Sequence, residues 1–201
     1  MPALTVLLDG ALVATVSTDG YDVLTVDVGG TLVDSELATL NFSGGSYPKD
    51  GKSTYLVWAP NLPIAHGQVV TVAFLENAPT SQAGKTIDEL FPDEEPVTQT
   101  DFTLTADMLA DIRAREKIRD TFNFRLEVPP RSPAFDATSY EDHGLAFSVI
   151  WDSSRPEQAR MSLHSYTLDG LEARAPGNYF AKEVLHYGDS VQFELLPLKT
   201  T

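Results

Sequence analysis

The side chains able to do chemistry in this sequence are carboxylates, four histidines, scattered serines and two tryptophans, with no cysteine among them. Glycoside hydrolysis needs two carboxyl groups about 5–9.5 Å apart across a cleft. With 29 acidic residues, nothing in the spacing selects one pair. Ser162 and Ser165 flank His164, but neighbouring positions on an extended chain do not converge on one nucleophile. No GxSxG elbow is present either. His66, His143, His164 and His186 are far apart and lack the His-x-His or His-x-x-x-His spacing of common zinc sites. Glu141-Asp142-His143, with Asp136 shortly before it, is the densest group of hard donors, and Asp93-Glu94-Glu95 between two prolines is the next. Neither follows a calcium-loop pattern, and solvated loop charge accounts for both. The glycines form no GxxxxGK[ST] or GxGxxG phosphate cradle and are assigned to turns. The expectation is a chain without catalytic residues, cofactor or metal.

Recognition is the chemistry left. Trp58 stands before Ala59-Pro60 and Trp151 before Asp152, each at the end of an apolar run. With Tyr55 they form a candidate aromatic patch for a protein or glycan, because an aromatic face offers wide apolar area at low entropy cost. The competing assignment makes both indoles caps on the core. A second candidate surface is acidic: Asp88, Glu89, Asp93, Glu94 and Glu95 would meet a basic cleft in a protein partner.

The 201 residues carry 29 acidic and 14 basic side chains, a formal charge of −15. That balance excludes unaided binding to nucleic acid or anionic lipid. The first hundred residues hold 13 acids and 3 bases, so the repulsive field is stronger there. No run of about 18 apolar residues exists, which argues against membrane insertion. The N-terminal MPALTVLLDG lacks the basic and apolar blocks of a secretory signal. A cytoplasmic location is the default, with non-Sec export left open.

The elements that must position these groups are strands. Leu4, Val6 and Leu8 share one parity, and Leu12, Ala14 and Val16 follow the Asp9-Gly10 turn. With 23–28 this predicts a three-stranded antiparallel start closed by a reversal at Gly29-Gly30. Further strands are expected at 40–42, 55–58, 70–74, 102–104, 122–128, 145–151, 161–168, 179–185 and 191–195. Pro60 and Pro63 assign their segment to an edge or a crossing loop. Gly44-Gly45 and 131–144 are expected as loops. So is 76–99, an acidic, proline-rich excursion pinned by Ile87, Leu90 and Phe91. Thr105 predicts the start of a short helix near 106–118. Some ten to twelve short strands and one short helix, with almost no helical crossover, make an all-β antiparallel sandwich. It is expected either as two small domains, 1–98 and 99–201, or as one elaborated sandwich. A shift of 121 residues pairs Leu24 with Leu145, Phe42 with Leu163, Gly67 with Gly188 and Val70 with Val191. The identities are few, and a shared architecture is the expectation.

Four segments, GGTLVDSELATLNF at 29–42, HGQVVTVAF at 66–74, DFTLTADMLADI at 101–112 and DTFNFRLEV at 120–128, taken in order, resemble an immunoglobulin-like repeat of large bacterial surface and adhesin-like proteins. The resemblance spans residues 24–130. Gln68 stands where the repeat has Asp, and Gly188-Asp189-Ser190-Val191 gives the fuller motif. It implies an immunoglobulin-like sandwich with a structural or adhesive role and no catalytic residues. The function expected is therefore non-enzymatic recognition, as an adhesive or structural module or as an accessory subunit, through a protein partner or self-association. An acidic immunity or inhibitor protein and a carbohydrate-binding module are the alternatives.

Overall fold

The structure, a computed structural model, describes residues 1–93, 105–129, 132–140 and 142–197. Strands β1 (Ala3–Leu8), β2 (Ala11–Ser17), β3 (Val23–Thr31), β4 (Ala38–Ser46), β5 (Thr54–Ile64) and β6 (Val69–Leu75) come first. The helical turn α1 (Ile87–Leu90) and helix α2 (Ala106–Ala114) lead to β7 (Thr121–Val128), β8 (Ser132–Tyr140), β9 (Gly144–Asp152) and β10 (Ala159–Tyr166). The helical turn α3 (Leu168–Glu172), β11 (Asn178–Leu185) and β12 (Ser190–Leu196) follow.

Two six-stranded antiparallel sheets face each other. Their orders are β2-β1-β6-β12-β7-β8 and β11-β10-β9-β3-β4-β5. Alternation puts Leu4, Val6, Val70, Val72, Phe124 and Phe193 of the first sheet against Leu24, Val26, Phe42, Phe147, Val149 and Leu163 of the second in one continuous core. Phe147 and Phe193 stack across the interface, ring centres 5.0 Å apart and planes 4° from parallel. The boundary expected between residues 98 and 99 separates no two cores. Each sheet takes three strands from either side of it, so the chain is one elaborated sandwich.

The two halves are related by a pseudo-twofold axis. Two identical antiparallel strands meeting about a twofold place one position opposite its own copy. Here Asp27 lies opposite Ser148 in β3 and β9, and Thr71 lies opposite Gln192 in β6 and β12. Both pairs are separated by the same 121 residues. The register repeats outward from the axis: Val26 faces Phe42 as Phe147 faces Leu163, and Ala38 faces Ile64 as Ala159 faces Leu185. Gly67 and Gly188 occupy equivalent turns at φ 80° and 87°, where a Cβ would be strained. Gly67 N–H donates to Leu195 O and Gly188 N–H to Phe74 O, each at 2.8 Å.

Several local expectations are corrected. β3 does not join β1 and β2; the chain changes sheets after the Asp19-Gly20 turn, and β1 takes β6 as its second neighbour. Gly29-Gly30 and Gly44-Gly45 lie inside strands. At Gly44 the reason is packing, since a Cβ would come within 2.5 Å of the Leu24 side chain. Residues 132–140 form an edge strand rather than a loop, their alternation hidden by Ser, Pro and Asp. β5 is an edge strand with register shifts opposite Phe42, as its prolines require. Helix α2 starts where expected, Thr105 Oγ1 accepting from Met108 N–H at 3.2 Å, but it ends at Ala114 and buries only Leu109. The strand expected at Phe102 and Leu104 lies outside the described residues.

Because one core serves both halves, damage on one side should be felt on the other. Phe147→Ala should cost about 3–5 kcal/mol. In a Trp151→Phe background, where Trp58 alone reports, urea unfolding should shift by this amount in a single transition coincident with the circular dichroism change.

Candidate functional site

The outer face of the second sheet carries the site. In β3, β9 and β10 the residues between the buried Val26, Val28, Phe147, Val149, Met161 and Leu163 point away from the core. Strand pairing sets five of these outward positions in one row across five strands: Asn41, Asp27, Ser148, Ser162 and Lys182. Ser148 and Ser162 share a hydrogen bond at 3.0 Å between their Oγ atoms. The adjoining row is Ile150, Arg160 and Val184. Between these rows and Tyr179 lies an open trough of about 540 Å³.

Its polar groups are held in place. Arg160 pairs with Asp152 at 3.0 Å, and the Asp152 carboxyl is held below its ordinary range chiefly by the Ser154 hydroxyl. Lys182 places Nζ 3.4 Å from the centre of the Tyr179 ring, a cation–π contact on an otherwise acidic molecule. His164 stacks obliquely against the same tyrosine at 5.0 Å. Its Nδ1 is buried with no partner among the described residues, and burial, then the Lys182 charge, lowers its pKa. Asp27, on the pseudo-twofold axis beside the trough, is pushed up to about 6 by burial. A flat ring, aliphatic Ile150 and Val184, two cations, Glu183 and a hydroxyl pair can bind and orient a polar ligand. The hydroxyl pair has no imidazole or carboxylate bonded to it among the described residues, so no activated nucleophile is built there.

The residues expected to form sites lie elsewhere. Trp58 is 6% exposed, packed on Tyr21 and Phe42 at 5.4 and 5.5 Å. Trp151 is 3% exposed and donates from Nε1 to Pro156 O at 3.0 Å. Both indoles cap the core, which removes their faces from the surface and leaves Tyr55 as the exposed member of that trio. Asp88 and Glu89 lie in α1. Glu89 is spent on its capping box, its carboxylate accepting from Thr86 N–H at 2.8 Å. Asp93 is exposed; Glu94 and Glu95 lie outside the described residues. Ile87 and Phe91 are 46% and 40% exposed, so this turn pins the loop less than expected. Instead 78–85 ties it down, with Lys85 pairing to Val57 and Ser81 to Thr15. Among the described residues no group of three or more His, Asp or Glu is close enough to hold a metal, and no helix is long and apolar enough to cross a membrane.

No family model, no curated protein and no solved structure matches this chain. The trough residues carry no sequence motif. The one signal available was the outward parity of Ser148, Ile150, Arg160 and Ser162 on adjacent strands, and it becomes a site only when register is known.

The half-buried Asp27 carboxyl makes stability depend on pH. In the unfolded chain Asp27 ionises near the ordinary aspartate value of 3.8, and in the folded chain at about 6. The folded state therefore binds the proton more tightly, and its advantage is present below pH 4 and lost as pH rises through 6. Asp27→Asn should be more stable than the parent by up to about 3 kcal/mol above pH 7, with the gain fading between pH 6 and 4 in urea titrations.

Proposed function

We propose that this chain is a non-enzymatic β-sandwich recognition module, structural or accessory to a larger assembly, whose partner is another protein. The observation carrying this is the trough itself: an open concavity where Tyr179, Lys182, Arg160 and Glu183 surround the Ser148–Ser162 pair. Such a surface mixes an aromatic anchor with charges of both signs, the composition that gives binding sites both contact area and register. The chain's −15 charge adds long-range repulsion toward acidic molecules and leaves selection of the partner to this local patch. The acidic-inhibitor alternative loses Glu89 to helix capping, and the tryptophan-based glycan surface is not exposed.

Ser162 points outward into the trough, so Ser162→Tyr should fill it without touching the core. The endogenous complex recovered with the parent chain should lose its main component with this variant, while the melting temperature stays within about 2 °C, the scale of a change of at most about 1 kcal/mol. Retention of that component, or a catalytic activity abolished by replacing a single carboxylate, would overturn the proposal.

A further inference from the structure

The polar row across the second sheet carries two charges that the fold itself does not answer. Asp27 has no hydrogen bond and no ion pair among the described residues, and burial is what raises its pKa. Its neighbours on β4, Thr39, Asn41 and Ser43, and on β9, Ala146, Ser148 and Ile150, are all uncharged. Holding a carboxylate there without a cation costs stability whenever it ionises. The scaffold does not require it, because the equivalent position of the other half is the neutral Ser148. Further along the row Lys182 is exposed, with Nζ over the Tyr179 ring. No carboxylate pairs with it among the described residues, whereas the neighbouring Arg160 is already paired with Asp152.

Between these charges Ser148 and Ser162 bond to each other at 3.0 Å, which leaves one hydroxyl hydrogen to donate outward. Asp27 and Lys182 are three strand spacings apart, about 14 Å from Cα to Cα. A single zwitterionic amino acid is too short to bridge that distance. An extended chain, rising about 3.4 Å per residue, crosses it in about four residues, and positions i, i+2 and i+4 fall on the same face. Charge complementarity narrows the occupant further. Small polyanions are turned away by the net charge of −15, and a segment with basic side chains alone leaves Lys182 unmatched.

We infer that an extended segment of the partner protein lies across the strands from Asp27 into the trough, setting a Lys or Arg on Asp27 and, four residues away, an Asp or Glu on Lys182. The residue midway between them lies over the serine pair and is a hydroxyl or amide side chain able to accept the remaining Ser O–H. This inference rests on the recognition role proposed for the trough and supplies the chemistry of what is recognised there. It also makes recognition depend on pH. The basic anchor needs Asp27 ionised, so it is in force above about pH 6 and lost below it. The acidic anchor persists, since a glutamate ionises near about 4.3. Protonation of His164 on further acidification adds charge only at the Lys182 end.

The probes are three end-capped heptapeptides, TKTSTET and its single-charge forms TQTSTET and TKTSTQT, titrated to millimolar concentration into the full ¹⁵N-labelled chain at about pH 7.5. The expected result is saturable amide shifts along β3, β9, β10 and β11, with TKTSTET binding about threefold or more tighter than either single-charge form, the scale of one exposed ion pair. In Asp27→Asn the preference for lysine over glutamine should vanish while the preference for glutamate persists, and in Lys182→Gln the reverse. In the parent chain at about pH 5 the lysine preference alone should vanish. Absence of shifts, equal binding of the three peptides, or both preferences surviving in both variants would overturn the inference. Recovery of the endogenous complex separates it from the proposed function. A complex lost with Ser162→Tyr but kept by the double variant Asp27→Asn, Lys182→Gln overturns this inference alone, and one kept by Ser162→Tyr overturns both.

Discussion

Two antiparallel strand pairs at the middle of the molecule, β3 with β9 and β6 with β12, hold the architecture together. Each joins a strand of the first half to its counterpart in the second, so the inner edges of four three-stranded units are used up in making two continuous sheets. Backbone hydrogen bonding across these seams is a requirement, since an unpaired N–H or C=O there would be buried without water. Once the seams are zipped, the apolar faces form a single slab, and neither half retains a boundary along which it would unfold alone.

The same pairing makes the candidate site. A three-stranded sheet face is narrow and wet, whereas the middle of a six-stranded one is flanked on both sides. That is why Asp27, an outward-facing carboxyl, is buried enough to resist ionisation. It is also why a row of polar side chains runs without interruption from Asn41 to Lys182. The trough sits to one side of the axis because the halves differ in their side chains there: Arg160 and Ser162 correspond to Thr39 and Asn41.

Much of the fold was legible in the sequence because period-two alternation survives wherever one face of a strand is buried. Val70, Val72 and Phe74, or Phe122, Phe124 and Leu126, permit no other assignment. Legibility failed where burial came from neighbours far along the chain. Gly44 and Gly45 carry the signature of a turn, yet lie within a strand because Leu24 and Tyr47 occupy the space beside them. The strand at 132–140 reads as a loop because Pro, Asp and Ser, which are turn residues in sequence, are tolerated in an edge strand. The site was almost wholly hidden. Trp58 and Trp151 stand at run ends, where a rim and a core cap look alike in one dimension, and the trough is assembled from strands whose order no local pattern encodes.

The pair at the centre of the second sheet has a consequence for what one polypeptide can do that two identical ones cannot. A homodimer built about such an axis must set each central residue against itself, acid against acid or hydroxyl against hydroxyl. Joining both halves in a single chain lifts that restriction, and here the position is occupied by an aspartate facing a serine. Covalent linkage thus gives the molecule freedom to write a one-sided surface upon a two-sided scaffold.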